Sequence, residues 1–376
     1  MIYLNNAATS YPKPQCVLEA HAAALCHPPA AQFRSAEQGS REDLWDACQK
    51  MMGRILGIAN HERIRFTSGA TQSINAVLAG LDLENGHIIT TVTEHNSVLR
   101  PLYNLPQLSG CEISLAACGN HGRVNPADLE ALIRNNTRLI IVNHCSNVTG
   151  MVQDVRAIGA IARHHGILMM IDVSQSAGCL SLAGDEWQAD IMIFTGHKSL
   201  LGVQGTGGYY VRKGIELRPY IFGGTGRDST EIIYTKGNYE YDAGTQNMPG
   251  LAALKAGGEY LLEQGIEQVY RHERMLMERL YSALRGMISI TVYGTVKTNM
   301  GPLLSFNIKG LEPSDTAYIL QNGYGITVRT GLHCAPLIHS YLGSGEKGTV
   351  RISVSGFNTI EDIDTLVDAL SQLDRR

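Results

Sequence analysis

The sequence predicts an α/β fold in which a mostly parallel sheet is covered by helices, followed by a smaller C-terminal α+β unit. Three observations carry this reading. Between residues 63 and 211, short continuously apolar runs alternate with stretches of helical periodicity, and strands that are apolar throughout belong in a sheet buried on both faces. Beyond Gly250 the texture changes to one long helical stretch followed by strands and helices in mixed order. The 376 residues, 44% hydrophobic and 18% charged, are enough for a large core and about two domains. These are expected at residues 1–250 and 251–376, with the extreme N-terminus a candidate to pack against the smaller one.

In chain order, the strands of the first unit are expected at residues 63–67, 87–92, 137–143, 167–171, 191–194 and 207–211. Helices are expected at 72–81, 125–134 and 155–165, between strands, as crossovers in a parallel sheet require. In the second unit the helical pattern runs from 251 to 285. It is followed by strands at 288–293, 303–308 and 350–354 and helices at 314–321 and 360–373. No internal repeat or low-complexity segment interrupts the chain.

Composition narrows the function classes. A formal net charge of -4 provides no field to attract nucleic acid or an anionic membrane surface. No apolar run approaches the ~20 residues needed to span a bilayer, and the opening residues lack a basic segment followed by an apolar one. The expected location is the cytoplasm, with no nucleic-acid or membrane partner. Eight cysteines are scattered without a Cys-x-x-Cys, so neither a disulfide framework nor a metal site is expected. Most of Cys16, Cys26, Cys48, Cys111, Cys118, Cys145 and Cys179 read as small buried apolar residues. The glycine-rich stretches 202–208 and 223–226 match neither nucleotide-binding loop, and read as turns or points of close backbone approach.

The chemistry gathers at the carboxyl ends of successive strands, where open α/β sheets place ligands. Thr67-Ser68-Gly69-Ala70-Thr71-Gln72 joins a strand to a helix, and backbone N–H groups at such a helix start can hold a phosphate. Alone, it is an ordinary N-cap by Ser68 or Thr71. In Glu94-His95-Asn96-Ser97, the imidazole of His95 can stack on a planar cofactor or shuttle a proton; alone, it is a structural histidine. Asn147 offers a neutral hydrogen-bonding side chain in what is otherwise a polar turn. Asp172 ends a very apolar strand and needs a partner, for which a protonated pyridine nitrogen is suitable; alone, it is an N-cap or one half of a salt bridge to an arginine. Lys198 follows residues 191–194. A lysine partly desolvated there attacks an aldehyde as a free amine, whereas a solvated one is only a loop residue. Phosphate anchoring, ring stacking, a pyridinium partner and a Schiff-base amine together are what pyridoxal 5'-phosphate requires.

On these motifs the chain resembles the class V aminotransferase family of fold-type I pyridoxal phosphate enzymes. Within it, the closest resemblance is to the group II cysteine desulfurases and selenocysteine lyases. The resemblance runs from Tyr3-Leu4-Asn5-Asn6-Ala7-Ala8 to Val350-Arg351-Ile352-Ser353. Its most specific part is the pairing of Asp172-Val173-Ser174-Gln175 with Thr195-Gly196-His197-Lys198. It implies that Lys198 bonds the cofactor, Asp172 partners the ring nitrogen and His95 stacks on the ring. Gln175 and Asn147 would lie near the phenolic oxygen, with Asn147 also near the substrate carboxylate. Ala70, Thr71, Thr195 and His197 would hold the phosphate. A homodimer is implied, with Thr245 near the phosphate of the neighbouring subunit, and Arg351 and Arg329 would bind the substrate.

Arg329-Thr330-Gly331-Leu332-His333-Cys334-Ala335 is similar to the short active-site loop of the group II desulfurases, in which the cysteine accepts sulfur. A sulfur acceptor must be reachable and close to cations that favour its thiolate, and Arg329 and His333 are candidates. The chain departs from its relatives at Gln246 and Val203, where proline is common, and in Gly223-Gly224-Thr225-Gly226-Arg227. The activity implied is conversion of L-cysteine to L-alanine with a persulfide on Cys334, which a further acceptor protein would relieve of its sulfur. His95 is a candidate proton donor. The alternatives are a selenocysteine lyase acting on L-selenocysteine and, more distantly, another class V transaminase or carbon–sulfur lyase, or a non-catalytic sulfur carrier.

Overall fold

The computed structural model describes residues 1–26, 44–224, 230, 232–233, 243–296 and 300–374. The elements are β1 (Ile2–Tyr3), α1 (Gln15–Cys26), α2 (Leu44–Leu56), β2 (Ile64–Thr67), α3 (Ala70–Gly80), β3 (His87–Thr91), α4 (Asn96–Asn104), β4 (Glu112–Ala116), α5 (Pro126–Glu130), β5 (Thr137–Asn143), α6 (Val155–His164), β6 (Leu168–Asp172), β7 (Ile191–Thr195) and β8 (Gly207–Val211). They continue with α7 (Met248–Gln264), α8 (Ile266–Arg285), β9 (Ile290–Tyr293), β10 (Leu303–Ile308), α9 (Pro313–Tyr324), β11 (Ile326–Thr327), β12 (Arg329–Gly331), α10 (Ile338–Leu342), β13 (Thr349–Ser353) and α11 (Ile360–Asp374).

The described residues form one large sheet of seven strands in the order β2-β8-β7-β6-β5-β3-β4. All pairings are parallel except those of β8, which runs antiparallel to both β7 and β2. The continuous apolar runs reflect burial on both faces. In β5, Ile140 and Val142 join one core, with residues of α2, α6 and α7. Leu139 and Ile141 point the opposite way, into the core formed with α3 and α4.

All six large-sheet strands expected from the sequence are present, and β4 is an addition. Glu112, Ile113, Ser114 and Leu115 are not fully buried, as befits an edge strand, so β4 lacks the continuously apolar signature. The long helical stretch is two helices, because Gly265, at φ 78, breaks it between Gln264 and Ile266. Helix α5 is a short one that opens on Pro126 with Asn125 as its cap.

The C-terminal sheet is antiparallel, in the order β12-β13-β10-β9. Its inner residues Phe306, Ile308, Val350 and Ile352 pack with Leu276 and Leu280 of α8 and with Leu366 and Leu370 of α11. Strand β1 pairs in parallel with β11, and Leu4 sits in this same core. The first residues of the chain therefore touch the last third before running towards the large sheet. Among the described residues no helix is long and apolar enough to cross a membrane. The loop at 223–227 lies outside the described residues from 225 onward.

Candidate active site

The carboxyl ends of β2, β3, β5, β6 and β7 open onto a cavity of about 330 Å³, within the range of small-molecule sites. Ala70, Thr71, His95, Asn147, Asp172 and Gln175 line it from the strand ends and the start of α3. Thr195, His197 and Lys198 line it from the end of β7, and Arg329 and Arg351 reach it from the C-terminal sheet. Eleven of the thirteen candidate residues thus meet in one space. Thr245 instead lines a neighbouring cavity that shares Ser68, Gln72 and Gly205 with the first. Cys334 is held beside the arginines, as described below.

Strand β7 is wholly buried and ends in the turn that carries Lys198. Gly196 is required in that turn because an added Cβ would come 2.2 Å from Thr206 Oγ1. Burial pushes the Lys198 ammonium down to about 8, against the opposing pull of Asp172. About a tenth is therefore free amine at pH 7, far more than for an exposed lysine. Asp172 is 7% exposed, and its Oδ1 accepts from the Ser174 N–H at 2.9 Å.

Glu94 is a buried acid behind the cavity, close enough to feel the charge of Asp172, that the sequence reading passed over. It is fully buried, and its Oε1 accepts from the Thr91 hydroxyl at 2.7 Å and the Asn143 N–H at 3.0 Å. Its Oε2 has no partner. Burial, with a contribution from the charge of Asp172, raises its carboxyl to about 8, so it holds a proton at neutral pH. The available signal was an acid placed three residues beyond a fully buried strand.

His95 caps α4, its Nδ1 accepting from the Ser97 N–H at 3.0 Å. Burial and then Lys198, Arg329, Arg351 and Arg100 push it down to about 4. The ring is neutral with its proton on Nε2, a state that suits stacking; it must acquire a proton before it can give one. His197 is likewise pushed down to about 4 by burial and nearby lysines, and its Nδ1 is buried without a partner.

The start of α3 is uncapped. Its N-cap residue is Gly69, at φ 149, and the Ser68 hydroxyl donates to Gln72 Oε1 at 2.7 Å instead of accepting from the helix. The ordinary N-cap reading by Ser68 therefore fails. The opening N–H groups of α3, the unpartnered His197 Nδ1 and the buried, unpartnered Ser174 Oγ form a donor set that fits an anionic, ring-bearing group.

On the other wall, Arg351 is 1% exposed, and no carboxylate lies within ion-pair reach among the described residues. Its Nη1 donates to the Asn147 carbonyl at 2.8 Å, and its Nε has no partner. Arg329 stands directly opposite it across the β12–β13 ladder. Like charges in that position repel. Burial and then Arg329 push Arg351 down to about 9. An entering carboxylate offsets both penalties. Asn147 Oδ1 is also buried without a partner, while its Nδ2 donates to the His333 carbonyl at 2.6 Å.

Arg329 Nη2 also donates to Cys334 Sγ at 3.4 Å. His333 and Cys334 take left-handed φ values of 50 and 59, and Asn96 N–H holds the Cys334 carbonyl at 2.6 Å. The sequence reading of His333 as a cation beside Cys334 is corrected. His333 is buried against Thr349 Oγ1 at 2.9 Å, and burial with Arg351 and Arg329 pushes it down to about 2, so it is neutral. All eight cysteines are free thiols; of the seven read as mostly buried, Cys48, Cys145 and Cys179 are buried, Cys111 and Cys118 half-buried, and Cys16 and Cys26 exposed on α1. Cys145 lines the cavity, but burial pushes its thiol up to about 12, which leaves it inert.

The profile of the family described as "Aminotransferase class-V" matches residues 2–366. The chain belongs to the class V aminotransferase family. Among its relatives in that family is a protein named "Probable cysteine desulfurase" from Methanothermobacter thermautotrophicus. It is 34% identical over 337 residues, which are 88% of this chain and 83% of the relative. A protein named "Cysteine desulfurase" from Salmonella agona is 30% identical, covering 100% of this chain and 94% of its own. The apo structure of a cysteine desulfurase from Thermococcus onnurineus superposes with a TM-score of 0.87 at 29% identity, covering 100% of this chain and 94% of that one. Class V aminotransferases work with pyridoxal phosphate, and the donor set above fits that group.

Proposed function

We propose that this protein is a pyridoxal-phosphate-dependent cysteine desulfurase whose sulfur acceptor is Cys334. The observation that carries the reading is the arginine pair. Arg351 lies in the Lys198 cavity with no carboxylate in ion-pair reach among the described residues, and Arg329, directly opposite, reaches the Cys334 thiol. The names of the relatives support it. In this reading the cofactor unit is residues 1–250 and the smaller unit, residues 251–376, brings the arginines and the thiol.

The first N–H groups of α3, with Ala70, Thr71, Thr195 and His197, would hold the phosphate, and the carboxylate of Asp172 would hold the ring nitrogen. His95 would hold the ring by stacking, and Gln175 and Asn147 would serve its phenolic oxygen. When bound, pyridoxal phosphate supplies an aldehyde that captures the substrate amine and a ring that takes up the electrons released at the α-carbon. Arg351, with Arg329 and Asn147, grips the carboxylate of L-cysteine. The free amine of Lys198 takes the α-proton. Cys334 Sγ attacks the sulfur of the substrate: an S–S bond forms, the C–S bond breaks, and its electron pair stays with the carbon fragment, which is protonated to L-alanine. The persulfide on Cys334 then passes its sulfur to an acceptor protein.

The test is alanine release from L-cysteine and L-selenocysteine in parallel, with a thiol reductant present. Turnover of cysteine with persulfide mapped to Cys334 is expected. Turnover of selenocysteine alone would replace this reading with a selenocysteine lyase. The same preparation is expected to sediment as a homodimer, with Thr245 serving the phosphate of the neighbouring subunit. An active monomer at assay concentration would refute that arrangement. Eight free thiols suit the reducing cytoplasm proposed as its compartment.

A further inference from the structure

We propose that Lys13 and Ser10 form a positioning pair that sets the backbone from which Lys198 projects. The inference rests on the assignment of Lys198 as the cofactor lysine. Ser10 Oγ accepts from Lys13 Nζ at 2.6 Å and lies 2.8 Å from the Lys198 carbonyl, to which it donates its single proton. The neighbouring His197 carbonyl accepts from the Ser10 N–H at 3.0 Å, Thr9 Oγ1 at 3.1 Å and Lys13 Nζ at 3.1 Å. A carbonyl oxygen has two lone pairs and one donor normally satisfies it. Three converging donors therefore fix the peptide plane far more tightly than solvation of that oxygen requires.

Two further features show that this backbone is constrained. Leu201, whose N–H also bonds the Lys198 carbonyl at 2.8 Å, sits at a left-handed φ of 61, which a leucine adopts only where its surroundings enforce it. Lys13 is half-buried with only neutral oxygens as partners, and no carboxylate lies in ion-pair reach among the described residues. Burying a cation that way is unfavourable for stability, and burial accordingly lowers its pKa to about 8. An exposed lysine would avoid that penalty; one aimed at two backbone-holding oxygens has a structural task.

The segment is anchored at its other end as well. Asn6 Nδ2 donates to the Ser353 carbonyl at 3.1 Å, the Ala7 N–H donates to Ser353 Oγ at 2.9 Å, and Arg351 Nη2 donates to Asn5 Oδ1 at 3.4 Å. Residues 5–13 therefore run as a strap from the substrate-binding arginine to the reactive lysine. Lys13 lines neither the Lys198 cavity nor its neighbour, so it acts through Ser10 and the two carbonyls and not on the reacting atoms.

The test is reductive trapping of the full-length protein, stripped of cofactor, with pyridoxal phosphate and separately with unphosphorylated pyridoxal, the adduct being mapped by mass spectrometry. Wild type is expected to trap at Lys198; if it does not, the assignment of Lys198 falls, independently of the strap. Lys13→Met is expected to slow trapping of both aldehydes by about 10- to 100-fold, the scale of a misplaced reacting group, with Lys13→Arg restoring most of the rate. Ser10→Ala, which removes one hydroxyl, is expected to slow both by roughly 3- to 10-fold with the unfolding temperature monitored alongside. Unchanged trapping in Ser10→Ala and in folded Lys13→Met overturns the proposal. A loss confined to the phosphorylated aldehyde overturns it too, because Lys13 would then be a counter-charge for phosphate.

Discussion

Cys334→Ala is expected to lower alanine release from L-cysteine by roughly 10³-fold or more while leaving the visible absorption of the cofactor-loaded protein intact. Sulfur leaves carbon poorly as a free anion, so a thiolate that takes it as a persulfide divides one hard step into two easier ones. The contacts around Cys334 suit that task. Arg329 donates to its sulfur, while the Asn96 N–H on the Cys334 carbonyl and the Asn147 amide on the His333 carbonyl tie down the backbone on either side. Selenium is bonded more weakly to carbon and leaves as a better anion, so the variant is expected to keep substantial cleavage of L-selenocysteine. Alanine release from cysteine by the variant at the wild-type rate would show that another group accepts the sulfur. Loss of the absorption band would show that the change had damaged the cofactor site instead.

Lys198→Ala is expected to abolish turnover, by roughly 10⁴-fold or more, together with the cofactor's covalent attachment. The wild-type pH dependence gives the same assignment a second readout. Burial lowers the Lys198 pKa from 10.5 to about 8, and only the free amine attacks an aldehyde. Trapping of an aldehyde by cofactor-free protein should therefore rise about tenfold per pH unit below pH 8 and level off above it. An ordinary exposed lysine would still be rising at pH 10. A measured midpoint near 10.5, or an adduct elsewhere than Lys198, would contradict the desolvated site.

The meeting of Lys198 and Asp172 in one cavity was legible in the sequence because Asp172 closes one buried apolar strand and Lys198 follows another by three residues. Such a strand is a continuous apolar run, and the polar residues that close or follow it fall at the carboxyl edge where ligands bind. The short polar motifs after β2, β3 and β5 followed by the same logic, so the convergence of these strand ends on one cavity was readable from local pattern. Edge strand β4 and the break at Gly265 were not, since partial exposure erases the apolar run and one glycine within a long amphipathic stretch is ambiguous until its φ is known.

What only the tertiary structure decided depends on register between distant segments and on how deeply each group is buried. The facing of Arg329 and Arg351 is set by the pairing of β12 with β13, and the closure of residues 5–13 onto His197 and Lys198 spans most of two hundred residues of chain. Protonation was equally out of reach. His333 stands beside Cys334 in sequence and reads as a cation, while Glu94 drew no reading of its own. In the fold both are neutral, because the cost of a buried charge is set by the partners around it, and those partners are brought together only by folding.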